Sequence, residues 1–386
     1  NLLKEKYNEV VVNTTSIFCI IYLTIIYIIS IGVTSDMTYT TDYSPYQYLD
    51  IPLMHLCVLP IAVFIISKLK EKKINEKIIK RIFIGMFILM VLILGIYSGF
   101  FFADPYYSMC AARGTIGNKK YRSFALTYPA SYPYQSTYIL YLIPFCKLLG
   151  YFDYLGITIF SIVLFAGSLI FIRKIFKLLL KEDYDYIADL SVILFIPGWL
   201  VSEFGYNDVP GLFFTVLGIY LFMISNDSKP KIILSIICTA LGLAIRKNFI
   251  ILLIAFLIIT LFDRKSLKPL IFFLASLILY KGISFGSYET LKVINPEIIK
   301  FEKNYETSRW VYIGLAESET GAGYWSPETA VGEGVDNLLL NRINELTSKP
   351  MEALSFFAKK LANTYTAPDY DTIDAFRHKD TLIINR

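Results

Sequence analysis

The stretch at residues 134–149, YQSTYILYLIPFCKLL, decides the topology of this chain. Its 16 residues approach the length that crosses a bilayer, but Pro144 and Lys147 interrupt them. Two interpretations are open: a span, or a helix that lies flat at the membrane surface. The choice between these two interpretations decides on which side of the membrane every later segment lies.

The composition indicates a membrane protein. Of 386 residues, 55% are apolar and only 18% are charged, which does not suit two or three soluble domains. The excess of 37 Lys and Arg over 32 Asp and Glu is too small to indicate a partner nucleic acid. The five cysteines form no CxxC pair, and His55 and His378 share no ligand spacing with them, so we expect no metal site and no disulfide framework.

Nine apolar segments are long enough to be transmembrane helices, some of them marginally. The first is too long for a signal-peptide core and lacks a small-residue cleavage site, so we expect it to be retained. The nine segments are 15–33, 51–67, 82–102, 154–172, 187–203, 210–225, 231–245, 248–262 and 268–284.

Basic loops choose between the two interpretations of residues 134–149. The loop at 68–81 holds seven Lys and Arg and must be cytoplasmic. If 134–149 crossed the membrane, the basic groups near 173–181, 229–231 and 264–268 would all lie outside. If it lies flat with its tyrosines at headgroup level, all three groups lie inside. The sequence therefore predicts an all-α, multi-pass protein of the cell membrane with 134–149 as an external juxtamembrane helix.

This topology predicts three regions. Residues 1–81 form an N-terminal pair of transmembrane helices, and residues 82–284 form the main transmembrane module with an external loop at 103–153. Residues 285–386 form a small external region. Within it, 336–365 has helical periodicity interrupted near Pro350, which indicates two amphipathic helices.

Two basic residues occupy a costly position. Arg246 and Lys247 lie in the turn between two apolar segments, on the external side and within reach of the hydrocarbon. They are either snorkelling side chains at a helix end or ligands of an anion, and a lipid phosphate would match them.

Two carboxylates open external segments. Asp104 follows the third span in FFADPYYSMCAARG, and Asp208 precedes a later span in EFGYNDVPG. A carboxylate beside an apolar wall suits general acid–base work, and capping a helix is an equally good explanation.

Aromatic and amide side chains surround these carboxylates in the sequence. The segment ALTYPASYPYQSTY is rich in Tyr and Pro, so we expect an extended approach to the flat helix. Tyr128, Tyr134 and Gln135 are able to stack on and hydrogen-bond a sugar, as are Tyr206 and Asn207, although an interfacial aromatic belt is the simpler explanation for the tyrosines.

A glycine-containing stretch in the external region, RWVYIGLAESETGAGYWSPE, places Trp310 and Trp325 on either side of Gly321 and Gly323. It is typical of a mobile binding loop and equally of a loop packed on the membrane surface. The chain has no GxGxxG and no GxxxxGK, so it lacks the usual glycine-rich nucleotide cradles. An external enzyme without nucleotide needs an activated donor anchored in the membrane.

The order of these features resembles integral-membrane glycosyltransferases of the GT-C fold, akin to protein O-mannosyltransferases and aminoarabinose transferases, and most of all their Gram-positive members. Five features carry the resemblance, between about residues 82 and 376: Asp104 followed by MCAARG; YPASYPYQ and then Leu149-Gly150; Asp208 in YNDVPG; Arg246 with Lys247; and Trp310–Leu315 as WxxxGL.

The resemblance implies a GT-C-like helix bundle that transfers a sugar, with inversion, from a polyprenyl-phosphate donor to a hydroxyl of a glycan or glycolipid acceptor. No cofactor or metal is implied. Asp104 would be the base, with Asp208 as the next candidate, and Arg246 and Lys247 would bind the lipid phosphate. Substrate contacts would come from Arg113, the aromatic and amide residues named above, Trp310 and Trp325.

Two other functions remain open. A flippase or transporter of a lipid-linked saccharide would also need cations at membrane depth, although the chain shows no internal repeat. A polysaccharide polymerase or ligase would use a pyrophosphate-linked oligosaccharide instead.

Overall fold

The structure is a computed structural model of the chain. Its described residues are 33–38, 44–49, 76–96, 103–150, 153–179, 206–263, 266–302, 308–318, 321–322 and 334–365, with isolated positions between 17 and 25 and at 64, 67, 188–189, 198–199 and 202. The predicted spans 15–33, 51–67 and 187–203 lie largely outside these ranges. The chain divides into two compact units, Lys68–Lys303 and a second unit made of Asn1–Ser67 with Asn304–Arg386.

The described residues are predominantly helical, which confirms the predicted class at this level. The unit Lys68–Lys303 contains nine α-helices among its described residues: α1 Glu76–Ile96, α2 Ala103–Thr115, α3 Arg122–Ser131, α4 Ser136–Leu149, α5 Asp153–Leu179, α6 Asp208–Met223, α7 Lys229–Ile245, α8 Ile250–Asp263 and α9 Lys268–Ile294. Short 3-10 turns at Lys119–Tyr121, Pro133–Gln135, Lys247–Phe249 and Pro296–Phe301 connect or follow them.

Two of these helices are long and apolar enough to cross a membrane, and they support membrane association. They are Tyr154–Leu179 within α5 and Lys268–Ile294, which is α9. Only 17% of the most apolar stretch of α9 is buried inside the protein. Its exposed face carries Ile271, Leu274, Ile278 and Phe285, each between 48% and 75% exposed. A helix whose outer face is apolar for about 20 Å is better suited to lipid than to water.

The helix α9 extends beyond the span predicted for it. The segment 268–284 is its first part, and the helix continues for ten residues to Ile294. It packs against α7, α8 and α4. Its last ten residues fall within the region predicted to be external, 285–386, and belong to the same compact unit as the turns before them.

Helices α6 and α7 form the closest helix pair near the candidate site. A Cβ added to Gly242 of α7 would lie 2.6 Å from the backbone nitrogen of Thr215 and 2.8 Å from the carbonyl oxygen of Gly211, both in α6. These contacts involve backbone atoms, so the two helices approach each other only because position 242 has no side chain. Small residues allow such close packing between membrane helices.

Helices α2, α3 and α4 pack together beside α5 and α9. The alanines of MCAARG are part of this packing, since Ala111 and Ala112 are fully buried beside Tyr138 and Leu142 of α4. The extended approach predicted for 125–138 is wrong, because α3 continues to Ser131 with Pro129 inside it. Burial of Ala125, Leu126 and Tyr128 on the inner face of α3 outweighs the local preference of the Tyr-Pro step.

The second unit contains two antiparallel hairpins and three helices among its described residues. They are β1 Val33–Thr38 paired with β2 Ser44–Leu49, β3 Glu317–Ser318 paired with β4 Gly321–Ala322, and α10 Ser308–Leu315, α11 Val335–Ser348 and α12 Pro350–Tyr365. The two amphipathic helices predicted for 336–365 correspond to α11 and α12. The hairpin β1–β2 was not predicted, although its Thr and Tyr residues favour strands.

The last carbonyls of α10 are capped by cations from the two following helices. Arg342 Nε donates to the carbonyl oxygen of Leu315 at 2.8 Å, and Lys360 Nζ donates to that of Gly314 at 2.5 Å. The WxxxGL segment at 310–315 is thus the C-terminal part of a capped helix within this unit.

Candidate functional site

Asp104 lies in the first turn of α2, where two tyrosines donate hydrogen bonds to its carboxylate. The Tyr128 hydroxyl, from α3, lies 3.2 Å from Oδ1, and the Tyr206 hydroxyl, just before α6, lies 3.2 Å from Oδ2. Hydrogen bonds from neutral donors favour the ionised carboxylate and fix its orientation. Asp104 itself remains exposed. An oriented, accessible carboxylate is what a general base requires.

The two tyrosines remain protonated donors. Burial, and then the charge of Asp104, raises the pKa of Tyr128 and of Tyr206 well above the ordinary tyrosine value. The sequence assigned both residues to sugar binding. The structure instead directs both hydroxyls to Asp104, and Tyr128 is 6% exposed.

A chain of hydrogen bonds connects Asp104 to the end of α7. Gln135 Nε2 donates to the Tyr206 hydroxyl at 2.9 Å, and Asn207 Nδ2 donates to Gln135 Oε1 at 2.9 Å. The same Asn207 nitrogen donates to the carbonyl oxygen of Ile245 at 3.3 Å. Asn207 is 1% exposed, and its Oδ1 has no hydrogen-bond partner among the described residues. That oxygen is an acceptor left over for a donor such as a hydroxyl group.

Arg246 follows directly after α7 and contacts both Asp208 and Tyr206. Its Nε lies 2.9 Å from Asp208 Oδ1, and its guanidinium carbon lies 5.3 Å from the centre of the Tyr206 ring. The close α6–α7 approach produces this arrangement, because a Cβ on Gly211 would lie 2.7 Å from Arg246 Cβ. Asp208 is the first residue of α6, so the structure gives it an ion pair in addition to its position at a helix start.

Beside this network lies a cavity of about 330 Å³ that is lined by cations. Its charged lining residues are Arg246, Lys247 and Lys281, and none of its described lining residues is acidic. The remaining lining residues are Pro133, Tyr134, Asn207, Leu243, Ala244, Ile245, Asn248, Tyr280, Ser284, Phe285 and Tyr288. Such a lining is complementary to an anion with an apolar neighbour.

Lys247 lies 5.0 Å from the centre of the Tyr134 ring, with its ammonium over that ring. Burial, followed by the charges of Lys281 and Arg246, lowers the pKa of Lys247 below its ordinary value. Like charges that repel one another in a cavity are stabilised when an anion binds between them.

Arg113 is not among the described residues that line the cavity. Its guanidinium lies 4.6 Å from the centre of the Tyr154 ring and 5.4 Å from that of Tyr121, whose hydroxyl it also contacts at 3.4 Å. These contacts connect α2 with the start of α5, which is a structural role. The structure thus explains the Arg113 position without a substrate.

The two tryptophans proposed to bind substrate stay predictions. Trp310 belongs to α10 in the second unit, where it is 39% exposed beside Arg309. Trp325 lies outside the described residues.

Sequence reasoning missed the contribution of α9 to the cavity. Lys281, Tyr280, Ser284 and Tyr288 all line it, and Lys281 lies within a segment predicted to span the membrane. A lysine inside an apolar span is itself a signal of function. That signal was available in the printed sequence.

Within the described ranges, no three His, Cys, Asp or Glu side chains are arranged to hold a metal ion. Comparisons with protein-family models, with characterised proteins and with solved structures found no match to this chain. Function is therefore inferred from the residues of the site.

Proposed function

We propose that this chain is a multi-pass membrane glycosyltransferase of the GT-C type, which transfers a sugar from a polyprenyl-phosphate donor to an acceptor hydroxyl on the external face of the cell membrane. One observation carries the proposal: a tyrosine-held carboxylate and a cation-lined cavity are joined by one hydrogen-bond chain. A carboxylate and cations are the two groups that such a transfer needs.

The reaction requires a base on one side of the sugar and charge stabilisation on the other. The acceptor oxygen forms a bond to the anomeric carbon while its proton passes to the Asp104 carboxylate. The bond between the anomeric carbon and the phosphate oxygen breaks, and its electron pair leaves with the phosphate. One base is sufficient, because the departing phosphate is already a good leaving group and needs neutralisation rather than protonation.

The cavity suits the phosphate end of the donor. Lys247 and Lys281 supply charge, and the hydroxyls of Tyr280 and Ser284 add hydrogen-bond donors close to an apolar helix face, whereas the Tyr288 hydroxyl donates to Glu302. Asn207 lines this cavity and is connected to the carboxylate through Gln135 and Tyr206. A polyprenyl chain would extend along the exposed apolar face of α9.

The test is a transfer assay with purified protein reconstituted in lipid vesicles. A panel of radiolabelled polyprenyl-phosphate hexoses is supplied with a glycolipid fraction, and free polyprenyl phosphate is measured together with labelled acceptor. Formation of both products by the wild type, and of neither by Asp104→Asn, is the expected result. Movement of an intact lipid-linked saccharide between leaflets without bond cleavage would identify a carrier instead.

A further inference from the structure

Lys281 has an unusual position. It lies 13 residues into α9, about 20 Å from the start of the helix at 1.5 Å per residue. That distance is about two-thirds of the thickness of a bilayer core. A lysine at such depth is costly unless it has a partner or a ligand. Its ammonium lies 5.3 Å from the centre of the Tyr280 ring, beside the cavity that both residues line.

The charges of the described residues that line the cavity do not balance. Asp208 offsets the charge of Arg246 across 2.9 Å. Lys247 and Lys281 then contribute two positive charges, and the described lining contains no carboxylate to offset them. The cavity is therefore matched to an anion that carries two negative charges.

The two phosphate species of the proposed reaction differ in their negative charge. A glycosyl polyprenyl phosphate is a diester with one negative charge. The polyprenyl phosphate that departs is a monoester, which carries between 1.5 and 2 negative charges near neutral pH, as phosphate monoesters typically do. Only the second species matches the two lysines.

We propose that the cavity is selective for a phosphomonoester, so that it binds the departing polyprenyl phosphate more tightly than the sugar donor, with Lys281 as the residue that provides the selectivity. This inference rests on the proposed function. Binding that strengthens as the phosphate departs stabilises the transition state. The same binding makes the lipid product an inhibitor until it is released.

The test compares two probes that differ by one charge. Dodecyl phosphate and methyl dodecyl phosphate share an alkyl chain and are titrated at pH 8 against the purified full chain in lipid nanodiscs. We expect the wild type to bind the monoester on the order of tenfold more tightly, because charge-assisted contacts to one added charge are of this size. Equal affinities would overturn the inference.

The matched variants replace two different lysines of α9, one that lines the cavity and one that does not. Lys281→Gln is expected to lose most of the tenfold preference, whereas Lys281→Arg keeps it. Lys268→Gln is the control, since Lys268 pairs with Asp227 at the start of α9 and is not among the described lining residues. A Lys281→Gln protein that keeps the preference would contradict the role of this lysine.

Two further measurements distinguish a lipid phosphate from soluble phosphate, and the selective site from the glycosyltransferase activity. Inorganic phosphate should bind much more weakly than dodecyl phosphate; equal binding would mean a site for soluble phosphate and would overturn the inference. A monoester preference without any transfer activity would retain this site and reject the glycosyltransferase. Transfer activity without the preference would do the reverse.

Discussion

At the scale of single residues, Asp104 is distinguished from an ordinary helix-capping aspartate by what it contacts. Two tyrosines that are far apart in the sequence donate to its two carboxylate oxygens, whereas capping requires only the backbone of its own helix. A position at a helix start and a function as a base are therefore compatible in this residue.

Replacing Asp104 by Asn should abolish transfer but leave folding and donor binding intact. Asn keeps the size and most of the capping ability and loses the basicity, and loss of a general base typically costs roughly 10² to 10⁴ in rate. The matched control is Asp336→Asn, also in the first turn of a helix, which should retain full turnover. Near-normal sugar transfer by the Asp104 variant would indicate that Asp208 is the base instead.

Tyr206→Phe should reduce the transfer rate while leaving phosphate binding nearly unchanged. The variant keeps the ring beneath Arg246 and removes the hydroxyl that orients Asp104. Hydrogen bonds to charged groups contribute about 1.5 to 3 kcal/mol, so a loss of roughly tenfold or more is expected. Tyr107→Phe is the control on α2, because the ring of Tyr107 stacks on Phe124 and the substitution preserves that contact. Equal losses in kcat and in donor affinity would argue against a positioning role.

We predict that Lys247 takes up a proton when a phosphate binds in the cavity. The lowered pKa means that Lys247 loses its proton at a lower pH than an ordinary lysine does. A bound anion offsets the repulsion from Lys281 and Arg246 and raises this pKa again, so phosphate affinity should fall as pH rises through the lowered pKa of Lys247. Calorimetric titration with dodecyl phosphate in two buffers of different ionisation enthalpy measures the proton. Lys281→Gln should reduce the uptake, and its absence in the wild type would contradict this mechanism.

At the scale of helices, the site depends on how closely α6 and α7 approach. Arg246 and Asp208 are brought together by a helix contact that leaves no room for a side chain at position 242. The close contact between glycine and backbone thus determines the position of the candidate phosphate-binding residues.

Gly242→Ala should therefore reduce both stability and phosphate binding. Its Cβ would lie 2.6 Å from the Thr215 nitrogen, and overpacking of this kind costs about 1 to 3 kcal/mol. The control is Gly85→Ala in α1, where a Cβ meets nothing within 4 Å and helix propensity favours alanine. Thermal unfolding in detergent, with dodecyl phosphate binding, compares the two. A Gly242 variant as stable as the Gly85 variant would show that the helices can separate without loss.

The sequence predicted the elements better than their contacts. Six predicted spans and the stretch 134–149 fall on helices, because long apolar periodicity is a strong signal. Helix α3 and the hairpin β1–β2 were missed, since Tyr-Pro steps and Thr-Tyr runs were interpreted by local preference alone. The neighbours of Asp104 could not be predicted, because Tyr206 is 102 residues away and only the packing of α2 against distant segments brings them together.

At the scale of the whole molecule, the predicted membrane topology depends on whether residues 134–149 lie flat or cross the bilayer. Helix α4 packs against α2, α5 and α9, and six of its residues are buried in the protein. A surface helix and a span both make contacts of this kind, so the external position of 134–149 stays a prediction. The side of the membrane on which the basic loops lie is thus the quantity to measure.

Cysteine labelling in intact cells tests this topology. Lys119→Cys, before α3, should react with an impermeant maleimide from outside, whereas Lys177→Cys near the end of α5 and Lys231→Cys at the start of α7 should react only after permeabilisation. Positive charges retained on the cytoplasmic side are the physical reason. External labelling at 177 and 231 would mean that α4 crosses the membrane. Arg246 would then lie on the cytoplasmic side while Asp104 stays outside, which would rule out the proposed site.

Tyr206 contacts the candidate base through its hydroxyl and Arg246 through its ring. Because the phenol of Tyr206 is rigid, a shift of its ring with Arg246 would also move its hydroxyl relative to Asp104. If Arg246 shifted on binding a phosphate, Tyr206 would pass that shift to the hydrogen bond with Asp104, so donor binding and the orientation of the proposed base would be coupled. In a transferase of this design, such coupling would let the bound donor change the orientation of the base from the one that Tyr128 and Tyr206 hold here.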